Sequence, residues 1–263
     1  MLSILSAPLD ENSSFIKGCS QAPTAIIKAF HSESSNMYSE NGFNCGDDDK
    51  VNILDQLELK TGKIAIEQIQ NAVQKELEKS KKVISIGGDH SITYPIIEAY
   101  SNNFESLNIL HFDAHPDLYN NFNDNPYSHA SPFARIMEKS LVKRLVQVGI
   151  RTLNNHQREQ VEKFGVEVIE MKDFNSNLSF KFEGPVYISL DIDGLDPAYA
   201  PGVSHPEPGG LTTRNIIDII HQLEGEVIGG DIVEYNPNKD VNDITAFTAA
   251  KLLKEMIGKI MNS

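Results

Sequence analysis

The chain contains no tryptophan and only two cysteines among 263 residues. Cys19 and Cys45 lie far apart in polar stretches and match no metal-binding or redox spacing, so a reducing, cytoplasmic setting is expected. Basic residues are also short: 23 Lys and Arg stand against 37 Asp and Glu, a formal charge of −14. That balance argues against nucleic acid or an anionic membrane surface as a partner, since either needs a basic face. It favours cationic ligands or metal ions. No apolar run reaches the roughly 18 residues of a membrane-crossing helix. The N-terminus, Met1 to Pro8, lacks a basic leader and does not read as a signal peptide. There is no internal repeat and no linker. With 40% hydrophobic and 23% charged residues the composition is globular, and residues 1–263 read as one domain.

What is present is an alternation of short apolar runs with helical patterns, the signature of a parallel α/β sheet. Strand candidates are 83–86, 107–112, 145–148, 185–190 and 226–229. Most run into carboxylates or histidines at their C-terminal ends, where open parallel sheets bind ligands. Between them, residues 62–80 place Ile66, Ile69, Val73 and Leu77 on one helical face. Thr212 or Thr213 can cap a helix carrying Ile216, Ile217, Ile220 and Leu223. A last helix is expected over about 244–261. The polar segment 31–50 reads as a long surface loop.

Three strand ends carry chemistry. In Asp113-Ala-His115-Pro-Asp117, extended spacing sends alternate side chains the same way, so two carboxylates and an imidazole can converge. Asp191-Ile-Asp193 repeats the pattern, and two such carboxylates repel unless a cation lies between them. His90 follows Gly87-Gly88, where glycines allow a sharp turn. The bland reading of each is a helix cap or a solvated acid. Together, His90, Asp113, His115, Asp117, Asp191 and Asp193 carry four negative charges when ionised, which two divalent ions would neutralise. Oxygen-rich ligation without thiolate suits Mn²⁺ rather than structural Zn²⁺.

From about residue 83 to 256 the chain resembles the arginase and agmatinase ureohydrolases. The motifs that carry the likeness are Gly87-Gly-Asp-His90, Asp113-Ala-His-Pro-Asp117, Ser128-His-Ala-Ser131, Ser189-Leu-Asp-Ile-Asp193 and Asp231-Ile-Val-Glu-Tyr-Asn-Pro237, with 202–211 similar to the family's substrate-side loop. The resemblance implies a three-layer αβα sandwich on a mostly parallel sheet of about eight strands. It implies two Mn²⁺ per subunit: one held by His90, Asp113, Asp117 and Asp191, the other by Asp113, His115, Asp191 and Asp193. It also implies a small cationic guanidino substrate hydrolysed to urea and an amine, and a homo-oligomer, trimer or hexamer. Glu234 can accept hydrogen bonds from the guanidinium, and His129 resembles the family's proton shuttle for the leaving amine. Asn120 is a further candidate substrate contact, Asp89 and Asp231 are expected to support the site, and His111 is expected in the core.

Substrate choice is the weakest inference from the sequence. Tyr119 replaces the Asn with which animal-type arginases read the amino-acid head, and the loop 118–128 has no Lys or Arg to meet a carboxylate. This puts agmatine (to putrescine) ahead of arginine (to ornithine), although Asp-Ala-His-Pro-Asp and Ser-His-Ala-Ser-Pro-Phe-Ala-Arg also resemble plant-type arginases. Guanidinobutyrate and guanidine are further alternatives. From other classes, a binuclear phosphoesterase lacks the later Asn-His motif it normally needs. A single-zinc deacetylase does not call for the second Asp pair or Glu234.

Overall fold

A computed structural model describes residues 1–79 and 81–262. Eight parallel strands form one sheet in the order β2-β1-β3-β8-β7-β4-β5-β6. They are β1 (Leu2–Ala7), β2 (Val51–Ile53), β3 (Lys82–Gly87), β4 (Asn108–Phe112), β5 (Arg144–Ile150), β6 (Glu167–Glu170), β7 (Lys181–Asp191) and β8 (Glu224–Val233). Helices α1 (Ala22–Phe30), α6 (Thr213–Gln222) and α7 (Ile244–Asn262) cover one face, and α2 (Lys63–Leu77), α3 (Thr93–Ser101), α4 (Pro132–Glu138) and α5 (Asn155–Phe164) lie on the other. The expected three-layer sandwich is what the chain adopts.

Strand alternation divides the core in two. Ile4, Ile84, Leu110, Val146 and Ile188 face α1, α6 and α7, whereas Leu5, Val83, Ile109, Leu145 and Tyr187 face the opposite helices. The near-continuous apolar runs follow from burial on both faces, the normal state of a parallel sheet. The expected face of α2 is buried at Ile66, Ile69, Val73 and Leu77. The 62–80 pattern overruns the helix at its end, and Ser80 itself lies outside the described residues. Thr212 caps α6 in a capping box with Asn215. The 31–50 loop is tied down: Lys254 bonds Ser35 and the Asn36 carbonyl, and Glu255 accepts from the Glu40 N–H. Both cysteines are buried and free, and Cys19 Sγ lies 3.6 Å from Ser204 Oγ and 3.7 Å from Glu234 Oε2.

Three strands escape the sequence pattern. In β1, Ser3 and Ser6 interrupt the apolar run, yet all six residues are buried, and Ser3 Oγ donates to the buried Glu76 carboxylate at 2.7 Å. The others, β2 and β6, are short strands at the two edges.

The strands β3, β8, β7 and β4 are neighbours at the centre. The chain leaves β3, skips two positions and fills them later with β7 and β8, so the carboxyl ends of these strands form a topological switch point. Gly88 sets the geometry there. Its carbonyl accepts from Glu234 N–H at 2.8 Å, and the next residue, Asp89, donates its N–H to Leu9 at 2.7 Å. A Cβ at Gly88 would collide with the Leu9 carbonyl oxygen. We expect Gly88→Ala to cost at least the about 1–3 kcal/mol of overpacking, read as a lower urea midpoint with an unchanged m-value; an unchanged midpoint would show that the strap at Leu9 yields freely.

Candidate active site

The structure gathers the acidic strand ends into one buried centre. His90 follows β3, Asp113 follows β4, Asp191 ends β7 and Glu234 follows β8. His90 Nδ1 lies 3.2 Å from Asp113 Oδ2, 3.1 Å from Asp117 Oδ2 and 3.2 Å from Asp191 Oδ2. On the other side of Asp113, His115 Nδ1 lies 3.4 Å from Asp113 Oδ1 and 3.2 Å from Asp193 Oδ2. The six residues therefore form two groups that share Asp113. Asp191 offers Oδ2 to the first group, while its Oδ1 accepts the Asp193 N–H at 2.7 Å.

The surroundings of His90 suit a cation in the first group. Its Nε2 lies 3.1 Å from Ser189 Oγ, but its Nδ1, fully buried among three carboxylate oxygens, makes no hydrogen bond among the described residues. A nitrogen aimed at a point ringed by carboxylate oxygens fits a divalent ion or, without metal, a proton.

Beneath these ligands a row of buried polar side chains crosses the sheet: Ser85, Asp231, Ser189, His111 and Gln147, each in register with the next. Ser189 Oγ donates to Asp231 Oδ1 at 2.7 Å, and Thr93 and Tyr187 hydroxyls each donate to Asp231 Oδ2 at 2.8 Å. Ser189 thus passes the charge of Asp231 to His90, an arrangement that orients a ligating imidazole. His111 is not simply a core residue. Gln147 Nε2 donates to its Nδ1 at 3.1 Å and to the Pro116 carbonyl at 2.7 Å. That leaves His111 Nε2–H to donate to Asp113 Oδ2 at 2.9 Å. Nothing in the local sequence marks this role, which the register of β4 on β5 creates.

Glu234 and His129 stand beside the cluster. Glu234 Oε1 accepts from the His90 N–H and from His129 Nδ1, both at 2.9 Å. Its backbone sits at φ 63°, and that of Asp117 at φ 48°, the sparsely populated region where functional sites store strain. The other ring nitrogen of His129 is 2.8 Å from Ser14 Oγ and receives the Ser14 N–H at 3.2 Å. Asp89 accepts from Asn12 and Ser91.

A cavity of about 220 Å³ opens over the centre, lined by Asp117, Asp191, Asp193, His115, His129 and Glu234 at its floor and by Ser14, Tyr119, Phe122, Thr152, Gln157 and His205 elsewhere. Asn120 is not among its lining residues: it is exposed, and its N–H points to His156. Tyr119 and Phe122 represent that loop instead. Ser14, Thr152 and Gln157 come from segments with no local signal of function. Arg151 does not line the cavity; its guanidinium donates to the carbonyls of Gly149, Asp193, Gly194, Leu195 and Glu207.

A profile described as the arginase family matches residues 1–258. The chain belongs to the arginase family. It is 44% identical to the mitochondrial arginase of Medicago truncatula over 98% of this chain and 81% of that protein. It is 36% identical to the agmatinase of Blochmanniella floridana over 97% of this chain and 86% of that protein. The solved arginase of Medicago truncatula superposes with a TM-score of 0.92, covering 98% of this chain and 87% of that one at 42% identity. The centre is accordingly the binuclear metal site of an arginase-type amidinohydrolase.

Without metal, this arginase-family site depends on protons. Burial and the neighbouring Asp193 and Asp113 push Asp191 well above the carboxylate range. Burial and Asp113, against the pull of His115, raise Asp193 to about 6. Burial works against the imidazolium of His90, yet Asp113, Asp117 and Asp191 hold its pKa well above the usual value. Asp193 and Asp113 do the same for His115 against its own burial. His129, also buried, is raised to about 9 by Glu234. Each of these groups binds its proton more tightly in the folded chain, so its stabilisation is present below the unfolded pKa and lost as pH rises through the folded one. His111 and His205 shift downward, but both are largely neutral in folded and unfolded chains above about pH 7.5. The metal-free protein should therefore lose thermal stability between about pH 7.5 and 9, and saturating Mn²⁺ should remove most of that slope. A metal-free Tm that rises across this window contradicts the proton-for-metal account.

Proposed function

We propose that this chain is an arginase of the plant type, hydrolysing L-arginine to ornithine and urea with two Mn²⁺ per subunit. The observation that carries the choice of arginine is the far side of the cavity. Gln157 lines it from the first turn of α5, buried, with its Oε1 carbonyl lacking any hydrogen-bond partner among the described residues. That acceptor suits an α-ammonium. The positive end of the α5 dipole, with Asn154 as N-cap and Thr152 just before it, suits an α-carboxylate. Agmatine offers no carboxylate to this end. The order expected from loop 118–128 alone is therefore reversed: that loop does lack a cation, but α5 supplies a partial positive charge that loop composition does not reveal. The higher identity to a plant arginase than to an agmatinase points the same way.

The residues divide the work in a definite order. His90, Asp113, Asp117 and Asp191 would hold one ion, and Asp113, His115, Asp191 and Asp193 the other. When bound, the pair supplies a strong oxygen nucleophile at neutral pH. Glu234 is held ionised, near 2, by His129 and the His90 N–H despite its burial. It binds the planar guanidinium through charge-assisted hydrogen bonds and turns its carbon toward the metal pair. His129 gives a proton to the departing amine of ornithine, and Ser14 fixes its ring from the cavity side.

The test is urea release from arginine, agmatine, guanidinobutyrate and guanidine by Mn²⁺-loaded protein at one pH. We expect kcat/KM for arginine to exceed that for agmatine by at least tenfold, about 1.4 kcal/mol of transition-state binding. A preference for agmatine overturns the assignment to arginine but leaves the amidinohydrolase centre intact.

A further inference from the structure

We infer that His129, His205 and Glu234 form a third cation site, at the mouth of the active centre, whose occupation by Zn²⁺ shuts the enzyme down. The inference rests on the reading of Glu234 and His129 as the guanidinium acceptor and the proton donor, and it adds a mode of regulation to that site.

Each of the three residues places one ligand atom within 4.8 Å of the other two. His129 Nδ1 and Glu234 Oε1 are already 2.9 Å apart. The His205 ring lies against His129 with centroids 5.2 Å apart and has no hydrogen bond among the described residues. Two imidazoles and one carboxylate are a ligand set Zn²⁺ takes with a water in the fourth position. Tetrahedral ligands at Zn²⁺ bond lengths stand about 3.4 Å apart, so from separations within 4.8 Å the site closes with an inward move of the His205 ring of at most about 1.4 Å. That ring is only half-buried, and its other aromatic neighbours are the exposed Phe15, at 5.6 Å, and His115, at 6.2 Å.

The charge balance agrees. Once two dications neutralise the four metal-site carboxylates, Glu234 is answered only by the proton it shares with His129 and by the His90 N–H. A third dication meets that charge. It takes the place of the hydrogen between His129 and Glu234, and the displaced proton goes to solvent. Both groups are then withdrawn from their work: Glu234 no longer accepts the guanidinium and His129 no longer donates to the amine. The mouth, with two imidazoles to one carboxylate, is the more imidazole-rich of the sites and favours the softer ion.

Protein loaded with two Mn²⁺ should take up one further equivalent of Zn²⁺ in equilibrium dialysis with metal analysis, without releasing Mn²⁺, and arginine should compete with that uptake. His205→Asn should raise the Zn²⁺ concentration for half-occupancy, and that for half-inhibition of urea release, by tenfold or more while circular dichroism stays unchanged. His205→Phe, which keeps the ring and removes the ligand, should behave like His205→Asn. Zn²⁺ that enters only by displacing Mn²⁺, or that binds wild type and both variants equally, overturns the inference. If no guanidino compound is hydrolysed, the functional reading fails separately, and the one-equivalent difference in Zn²⁺ uptake between wild type and variants still decides the third site.

Discussion

Everything in this fold serves the confinement of like charges. Asp113, Asp117, Asp191 and Asp193 are buried together at the ends of adjacent strands, an arrangement that is costly unless cations or protons compensate it. Protons suffice for the empty protein, which is why Asp191 is pushed up and the imidazoles of His90 and His115 are held charged. The working state needs the proton places taken by metal. The site is thus primed for cations by its own repulsion, and the surrounding structure supplies the rigidity that keeps the carboxylates from swinging apart.

That rigidity comes from the sheet. Parallel register sets Ser85, Asp231, Ser189, His111 and Gln147 side by side, two residues below most of the ligands. Each holds the group above or beside it: Ser189 holds His90, His111 holds Asp113, and Gln147 ties His111 to the turn that carries His115 and Asp117. A buried polar row in an otherwise apolar sheet is affordable only when its members satisfy one another. Its two ends, Ser85 Oγ and Gln147 Oε1, do not find partners among the described residues. The row therefore contributes positioning more than stability.

How much of this was legible in the sequence depends on whether the signal is local. The alternate spacing of Asp113, His115 and Asp117, and of Asp191 and Asp193, points to the ligands, but for a different reason than an extended chain: β4 ends at Phe112, Asp117 sits at φ 48° and Asp193 lies in the turn Ile192–Gly194, so turns bring the side chains together. The central strands were visible because burial on both faces makes them apolar. β1 was hidden by its two serines, one of which exists to meet Glu76. His111 sits in an apolar run that marks it only as core, and the pairing of β4 with β5 reveals its bond to Asp113. Asn120 looked apt as a polar residue after the ligand turn, but that turn directs Tyr119 and Phe122 to the cavity. Gln157 and Ser14 line the cavity from chain segments whose composition says nothing of it, so that part of the cavity wall is the least readable.

The account stands or falls on two cations sharing one acidic centre. The most direct measurement is anomalous diffraction at the manganese edge from crystals grown with Mn²⁺. Two peaks about 3.5–4 Å apart, one beside His90 and Asp117, the other beside His115 and Asp193, with Asp113 between them, are the predicted result. A single peak, or density away from these side chains, would contradict it.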